Sequence, residues 1–298
     1  MPATDLPICS SISAASGEPL RATASRYRHW LLVEQPGPWG HDALVDSDLP
    51  AEVGRELRDT GRRLGIRVLL IKRRDRPRGP RRCYLAYTGA RERRVRSIDL
   101  DDPTDLLALD LDGLARRRFD GVGVPVDEPV SLVCTHGKHD QCCARYGAPL
   151  FRAIEHLGSV WECTHVGGDR FAGNVVCFPH GMYFGRVPVA EAPDVVGAYG
   201  EGRLTLAHYR GRSAFSPPVQ AAEQEVRVRL GLDGVDDLVL AAHRRLPGRR
   251  HVVEFAAVDG ARHAVDVRVV DLSPRRLTCK ADHEAAPRGF EVSMRALP

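Results

Sequence analysis

Short apolar runs alternate with amphipathic stretches along the first 120 residues of the chain. Residues 30–33 form an apolar run typical of a buried strand, and residues 50–64 repeat apolar side chains at helical spacing. Residues 66–71 are apolar and β-branched, which predicts a second buried strand. The pattern then predicts two more strands and a short helix, at residues 83–88, 94–98 and 103–110.

The next part of the chain repeats this order of elements. A strand at 131–133 precedes a helix at about 141–157, for which Asp140 is a suitable N-cap. A strand at 160–163 and a hairpin of 174–178 with 182–187 follow, and a helix returns at 189–199. Strand, helix, strand, hairpin and helix is the order of thioredoxin-like domains, so the sequence predicts two copies of one architecture.

Composition and turn residues divide the chain into segments. Residues 1–25 are poor in large apolar side chains and are predicted to be a mobile tail, and the glycines and prolines of 121–129 predict a domain boundary. We therefore expect an N-terminal half at 26–120 and a second domain at 128–212. Residues 217–298 are expected to form a small C-terminal α+β unit, with a helix at 217–231 and three strands at 236–241, 251–257 and 263–271.

Charge and hydropathy narrow the classes of function. The chain has 43% apolar and 28% charged residues, which is typical of a globular protein. It contains neither a long apolar run nor a secretory signal, so we expect a cytoplasmic protein without a membrane partner. The net charge of +4 is too small to indicate nucleic acid as a partner.

The cysteines are unevenly distributed. Five of the eight fall within 44 residues, namely Cys134, Cys142, Cys143, Cys163 and Cys177. A cytoplasmic location disfavours disulfides, so this crowding indicates a metal or redox site. Cys177 lies inside the apolar stretch NVVCF and is expected to be a buried packing residue.

Two segments carry the candidate ligands. CTHGKHDQCC spans residues 134–143, and CTHVGGD spans residues 163–169. Each follows a predicted strand, so a sheet could bring the two loops together. Gly137, Gly167 and Gly168 would allow the backbone to approach a bulky inorganic centre closely. Thiolate and imidazole ligands suit zinc or an iron–sulfur cluster. His136 and His139 are expected to face solvent.

The same segments resemble a known family. CTHGKHDQCC followed by CTHVGGDRFAGNVVCFPHGMYFGRV is similar to the sucrase/ferredoxin-like proteins, and WLLVEQPGPWG at 30–40 and HYRGRS at 208–213 extend the resemblance. It implies an α/β fold: a thioredoxin-like ferredoxin domain preceded by a degenerate thioredoxin-like half. It also implies a [2Fe–2S] cluster and electron transfer to an unknown redox partner protein, without catalytic residues in this chain.

The resemblance further implies cluster ligands. In fungal members of the family, two cysteines separated by eight residues and an H-x3-H pair hold the cluster. Three of these four positions correspond to Cys134, Cys143 and His165, and the fourth is Asp169 in this chain. Our preferred set is Cys134, Cys143, Cys163 and His165, with Cys142 and Asp169 as alternatives. Gly137, Gly167, Gly168 and Arg170 are expected to surround the ligands.

Two other functions compete with electron transfer. Structural zinc is an alternative cofactor, although the paired C-x-x-C motifs of many zinc sites do not occur. A thiol oxidoreductase would fit a thioredoxin-like fold, but it usually needs the same C-x-x-C pair.

Overall fold

The fold is given by a computed structural model that describes residues 8–74, 79–119 and 121–295. The first half of the chain contains α1 (Cys9–Ala15), β1 (His29–Glu34), α2 (Ala43–Asp46), α3 (Ala51–Leu64), β2 (Ile66–Lys72), β3 (Arg81–Thr88), β4 (Arg93–Leu100), α4 (Leu111–Ala115) and β5 (Val124–Pro125). The next segment contains β6 (Val130–Cys134), α5 (Gln141–Ile154), β7 (Ser159–Cys163), β8 (Val175–Phe178), β9 (Met182–Phe184), α6 (Ala192–Gly200) and β10 (Tyr209–Arg212). The C-terminal unit contains α7 (Pro217–Leu230), β11 (Leu238–Leu246), β12 (Arg250–Ala257), β13 (Arg262–Asp271) and β14 (Arg288–Met294).

The first ten strands form one mixed sheet in the order β10-β9-β8-β6-β7-β2-β1-β3-β4-β5. In the first half β1 is parallel to β2 and antiparallel to β3, and in the second β6 is parallel to β7 and antiparallel to β8. Both halves thus have the same strand order, and helices pack against the sheet. The predicted α/β class is confirmed, whereas the thioredoxin-like detail stays a prediction.

The two halves join through a short antiparallel contact between β2 and β7. Ile71 pairs with Cys163 and Lys72 with Glu162, which are the last residues of the two strands. Because the strands overlap only at their carboxyl ends, the loops that follow β1, β2, β6 and β7 converge at the centre of the sheet. Ligand sites in α/β proteins form at the carboxyl ends of strands. The candidate site lies at this junction.

The sheet is continuous across the segment predicted as a domain boundary. Within residues 121–129, β5 pairs with β4, so this segment adds an edge strand to the first half. The apolar core also crosses the junction, since one buried cluster contains Trp30 from β1, Leu69 from β2 and Trp161 from β7. The two halves therefore share a core as well as a sheet.

The described part of the predicted tail is packed against the rest of the chain. Residues 9–15 form α1, in which Cys9 and Ser13 are fully buried, and Glu18 pairs with Arg170. The prediction of a mobile tail is therefore wrong for residues 8–25. This segment can pack with few large apolar residues because α1 makes its contacts mainly through small side chains and polar groups. Residues 1–7 lie outside the described residues.

The C-terminal unit has one strand more than the sequence predicts. Its four-stranded antiparallel sheet has the order β11-β12-β13-β14, and the extra strand is β14. In β14 only Gly289 and Phe290 are buried, so the strand carries a weak apolar signal. Helix α7 covers one face of this sheet, with Val219, Ala222 and Val226 in the shared core.

Candidate metal centre

Three of the predicted ligands come together at the sheet junction. The Sγ atoms of Cys134 and Cys143 and a ring nitrogen of His165 all lie within 4.8 Å of one another. Cys134 is the last residue of β6, Cys143 lies in the first turn of α5, and His165 follows β7. Since β6 and β7 are neighbouring parallel strands, their carboxyl ends bring these three donors to one point.

Helix α5 reaches Cys134 closely because of Gly147. A Cβ atom at this glycine would lie 2.0 Å from the carbonyl oxygen of Cys134, a distance that real contacts exclude. The Asp140 side chain accepts a hydrogen bond from the backbone N–H of Cys142 and so caps the helix, as predicted. The cap and the close approach together fix the position of the Cys143 thiol.

The Asp169 side chain contacts two members of this group. Its Oδ1 accepts a hydrogen bond from the Cys143 thiol at 3.3 Å and lies 2.8 Å from His165 Nδ1. Burial of Asp169 opposes ionisation, but contacts with His165 and Cys143 outweigh it and lower the pKa of the carboxyl group. Position 169, where the resemblance implies a second histidine, therefore holds an anionic oxygen in contact with two candidate ligands.

The site stabilises the charged forms of Cys134 and His165, whereas the contact with Cys134 and burial raise the pKa of the Cys143 thiol. A hydrogen bond from Cys143 lowers the pKa of Cys134 far below its usual range, with a further contribution from His165. Burial would lower the pKa of His165, but Asp169 and Cys134 raise it to about 9. In the metal-free chain these shifts favour a Cys134 thiolate beside a His165 imidazolium. The thiolate can bind a metal directly, whereas the imidazolium must first lose its proton.

Cys163 does not belong to this group. It is the register partner of Cys134 on the neighbouring strand, but its thiol joins no cluster of metal-binding side chains in the described part of the chain. The side chain is fully buried in the apolar core that the two halves share. Burial raises the pKa of Cys163 well above its usual range, so it stays a neutral thiol. The nearby donor from this segment is His165, two residues further along.

Two more histidine rings, those of His139 and His136, lie in a row beside His165. The His139 ring stacks on His165 at 4.0 Å between centroids, and the His136 ring lies 5.6 Å from His139. His136 is buried, with Nε2 2.9 Å from the carbonyl oxygen of Gly40 and Trp39 packed edge-on against its ring. The prediction that both histidines face solvent is wrong for His136, and His139 is half-buried.

A cleft of about 340 Å³ opens beside these rings. Its lining includes His139, His165, Arg62 and Arg67. Burial and the nearby charge of His165 lower the pKa of His139 to about 4, so this ring is neutral at pH 7. The cleft exposes only the imidazole side of the site, while both thiols lie behind it.

The other residues expected around the ligands have structural partners. Gly167 and Gly168 have φ angles of +98° and +78°, which favour glycine, and their Cα atoms pack against Ser25 and Arg210. Arg170 is paired with Glu18 at 2.9 Å. Gly137 faces Ala144 of α5. These residues shape the loops that hold the ligands.

Two predictions about the remaining cysteines have different outcomes. Cys177 is fully buried in β8 beside Ser131, which agrees with a packing role. Cys142 faces away from Cys143 and lies in a second group with Cys9, Cys279 and Asp140. The sequence offers no signal for this group, because Cys9 and Cys279 lie more than 130 residues from Cys142 on either side.

The chain is similar to known proteins over part of its length. Two curated relatives are both named Altered inheritance of mitochondria protein 32. The one from Eremothecium gossypii is 26% identical over 110 residues, 31% of this chain and 35% of its own length. The one from Meyerozyma guilliermondii is 31% identical over 99 residues, 29% of this chain and 35% of its own length.

The chain thus spans about a third of the length of these relatives. No solved structure matches it. Among the described residues, none of the helices combines the length and apolar character needed to cross a membrane. The Sucrase/ferredoxin-like family model matches residues 20–211, which include all three clustered donors and both halves of the large sheet. The chain belongs to the Sucrase/ferredoxin-like family.

Proposed function

We propose that this protein binds a [2Fe–2S] cluster at Cys134, Cys143 and His165 and transfers electrons to a partner protein. The observation that carries the proposal is the convergence of two thiols and an imidazole within 4.8 Å at the carboxyl ends of β6 and β7. These three donors occupy the positions that the sequence resemblance assigns to cluster ligands.

The donor chemistry fits an iron–sulfur cluster. Cysteine thiolates are the usual ligands of such clusters, and histidine replaces cysteine in some of them. His165 Nδ1 is buried and lies 2.8 Å from Asp169 Oδ1 without a well-aligned hydrogen bond, so this nitrogen can bind iron once the ring loses its proton. A fourth ligand is supplied by Asp169, which already contacts His165 and Cys143. Cys163 and Cys142 are excluded from the proposed set because they lie outside the group.

The surrounding residues suit an electron carrier. When bound, a [2Fe–2S] cluster accepts and releases single electrons. The chain keeps water away from the two thiols, since Cys134 and Cys143 are each 1% exposed. His165 and His139 face the cleft, so a partner protein that docks there meets the imidazole side of the site. Arg62 and Arg67 in the cleft wall favour an acidic partner surface.

We also propose that the protein works in a reducing compartment such as the cytoplasm. All eight cysteines are free thiols in the structure. The name of the curated relatives refers to mitochondria, so fractionation of the native cells would distinguish the two compartments.

The test is a visible absorption spectrum and an iron count on the anaerobically purified full-length chain. We expect a coloured protein that bleaches on reduction with dithionite and contains about two irons per chain. Cys134→Ala and Cys143→Ala should lose the colour and the iron, whereas Cys177→Ala, the matched control, should keep both. Cys163→Ala should also keep the colour, because its thiol lies outside the donor group.

Two results would contradict the proposal. Full colour in Cys134→Ala would remove the ligand assignment. A colourless wild-type chain whose zinc depends on Cys134 and Cys143 would show that the same donors form a zinc site.

A further inference from the structure

Three thiols from distant parts of the chain meet beside α5. Cys9 lies at the start of α1, Cys142 in the first turn of α5, and Cys279 in the segment between β13 and β14. Their Sγ atoms are 3.5 Å (Cys9–Cys142), 3.3 Å (Cys142–Cys279) and 3.5 Å (Cys279–Cys9) apart. The carboxylate of Asp140 completes a group whose ligand atoms all lie within 4.8 Å of one another.

The equal spacing of the sulfurs argues against a disulfide. A disulfide joins two sulfurs at about 2.0 Å and leaves any third thiol outside the bond. In a tetrahedral zinc site with Zn–S bonds of about 2.3 Å, the sulfurs are about 3.8 Å apart. The observed triangle has all three edges slightly below that value, so a small outward movement of the thiols would admit the ion.

The backbone and neighbouring side chains already orient this group. Asp140 accepts hydrogen bonds from the backbone N–H of Cys142 at 2.9 Å and of Cys279 at 2.8 Å. The Ser10 hydroxyl donates to the Cys142 sulfur at 3.2 Å, and the N–H of Cys9 points to the Cys279 sulfur at 3.5 Å. Donors directed at sulfur stabilise thiolates, which are the form that binds metal. Cys142 also lies at the positive end of the α5 dipole.

The group is enclosed as structural zinc sites are. Cys9 and Cys142 are fully buried and Asp140 is 1% exposed, while Cys279 is half-buried at the surface. Ile8 and Ala172 close the apolar side of the group. Four protein donors leave no position for a substrate, which distinguishes a structural zinc site from a catalytic one.

We propose that Cys9, Cys142, Cys279 and Asp140 bind one zinc ion that fastens the N-terminal helix and the 272–287 segment to α5. Cys9 and Cys279 both lie outside the family-matched residues 20–211. The site is separate from the Cys134–Cys143–His165 group, because Cys142 and Cys143 are consecutive on α5 and project in different directions. The proposal therefore does not rest on the [2Fe–2S] assignment.

The test is a count of zinc and iron on the same sample of full-length protein, purified without chelators and freed of loosely bound metal. We expect about one zinc per chain in the wild type. Cys279→Ser should lose the zinc and keep the iron and the visible colour, and Cys134→Ala should lose the iron and keep the zinc. Cys83→Ser, which replaces a buried thiol outside both groups, is the matched control and should keep both metals.

A second measurement needs no variant. Titration of the wild-type chain with a thiol-blocking mercurial, followed with a coloured zinc indicator, should release about one zinc per chain. Absence of zinc from the wild type after dialysis against zinc would overturn the proposal. The proposal would also be overturned if Cys134→Ala lost the zinc while Cys279→Ser kept it. Loss of iron from Cys279→Ser would overturn it as well. A wild-type mass that lacks two hydrogens, with Cys9, Cys142 or Cys279 in a disulfide, would also contradict it.

Discussion

Asp169 stands at the position where the family resemblance implies a second histidine ligand. Its carboxylate lies 2.8 Å from His165 Nδ1 and accepts a hydrogen bond from Cys143. In the proposed cluster site, a negative charge this close would stabilise the oxidised, less negative state of the cluster. The same charge keeps the His165 ring protonated in the metal-free chain, where the pKa of His165 is about 9. Under the proposed function, the Asp169 side chain therefore acts on both the reduction potential of the cluster and the binding of metal by His165.

Replacing the carboxylate tests this effect. Asp169→His removes the negative charge and supplies the second family histidine, so the reduction potential should rise by at least about 60 mV, a tenfold change in a one-electron equilibrium. A spectroscopic redox titration measures the shift. Asp194→His, which removes the same charge from an exposed position on α6, is the control and should leave the potential unchanged. An unchanged or lower potential in Asp169→His would contradict the role given to Asp169.

Individual residues of the site are predictable from the sequence where the motif that identifies them is a short, continuous segment. Cys134, Cys143 and His165 can be singled out because each belongs to one of two distinctive segments that begin at the ends of β6 and β7. The separation of Cys163 from this group is not predictable, because spacing along the chain does not give the distances between side chains. The buried position of His136 is hidden for a similar reason, since its partners, Trp39 and Gly40, lie about a hundred residues away.

Helix α5 is the element on which the site depends most. Its first turn carries Cys142 and Cys143, and its packing distance from β6 is set by Gly147. The helix is predictable from its apolar periodicity and its Asp140 cap. The need for glycine at 147 is not, because only the folded chain shows the Cys134 carbonyl opposite it.

A methyl group at Gly147 should disturb both the helix and the metal site. In Gly147→Ala the new Cβ would meet the Cys134 carbonyl oxygen at 2.0 Å, so α5 must move away from β6. We expect a loss of about 1–3 kcal/mol in the free energy of unfolding, together with reduced iron content. Urea unfolding and metal analysis measure the two effects.

The matched control is a glycine in a neighbouring helix. A methyl group added at Gly197 in α6 would meet nothing within 4 Å beyond its chain neighbours and the backbone of its own helix, so Gly197→Ala should be neutral or slightly stabilising. Equal stability and iron content in Gly147→Ala and Gly197→Ala would show that α5 does not need its close approach to β6.

At the scale of the whole molecule, a buried ionic group connects the large sheet with the C-terminal unit. Glu223 of α7 lies 3.5 Å from Arg212 of β10 and 3.2 Å from Arg227, and all three side chains are at most 1% exposed. Arg212 and Arg227 also donate hydrogen bonds to the carbonyl oxygen of Val235, before β11. The order of elements is predictable here, but the pairing of three charged residues inside the protein is not.

Loss of the Glu223 carboxylate should lower the stability of the protein strongly. Glu223→Gln leaves two buried guanidinium groups without a counter-charge, and we expect the free energy of unfolding to fall by about 3–5 kcal/mol. Glu291→Gln, which breaks an exposed pair with Arg268 on the C-terminal sheet, should cost about 0–1 kcal/mol. Urea unfolding of both variants provides the comparison. Similar losses in the two would show that the buried group does not support the structure.

Because Cys142 and Cys143 are adjacent on α5, an insertion or deletion near them would affect both groups of thiols at once. An α-helix turns by about 100° per residue, so inserting or deleting one codon between Asp140 and Gly147 would redirect every side chain beyond it. Point substitutions at one thiol can spare its neighbour, but a change of length here displaces both groups relative to β6. Natural variants of this chain should therefore vary in length within the hairpin turns of the C-terminal sheet, such as residues 258–261, and keep the length of the first two turns of α5 fixed.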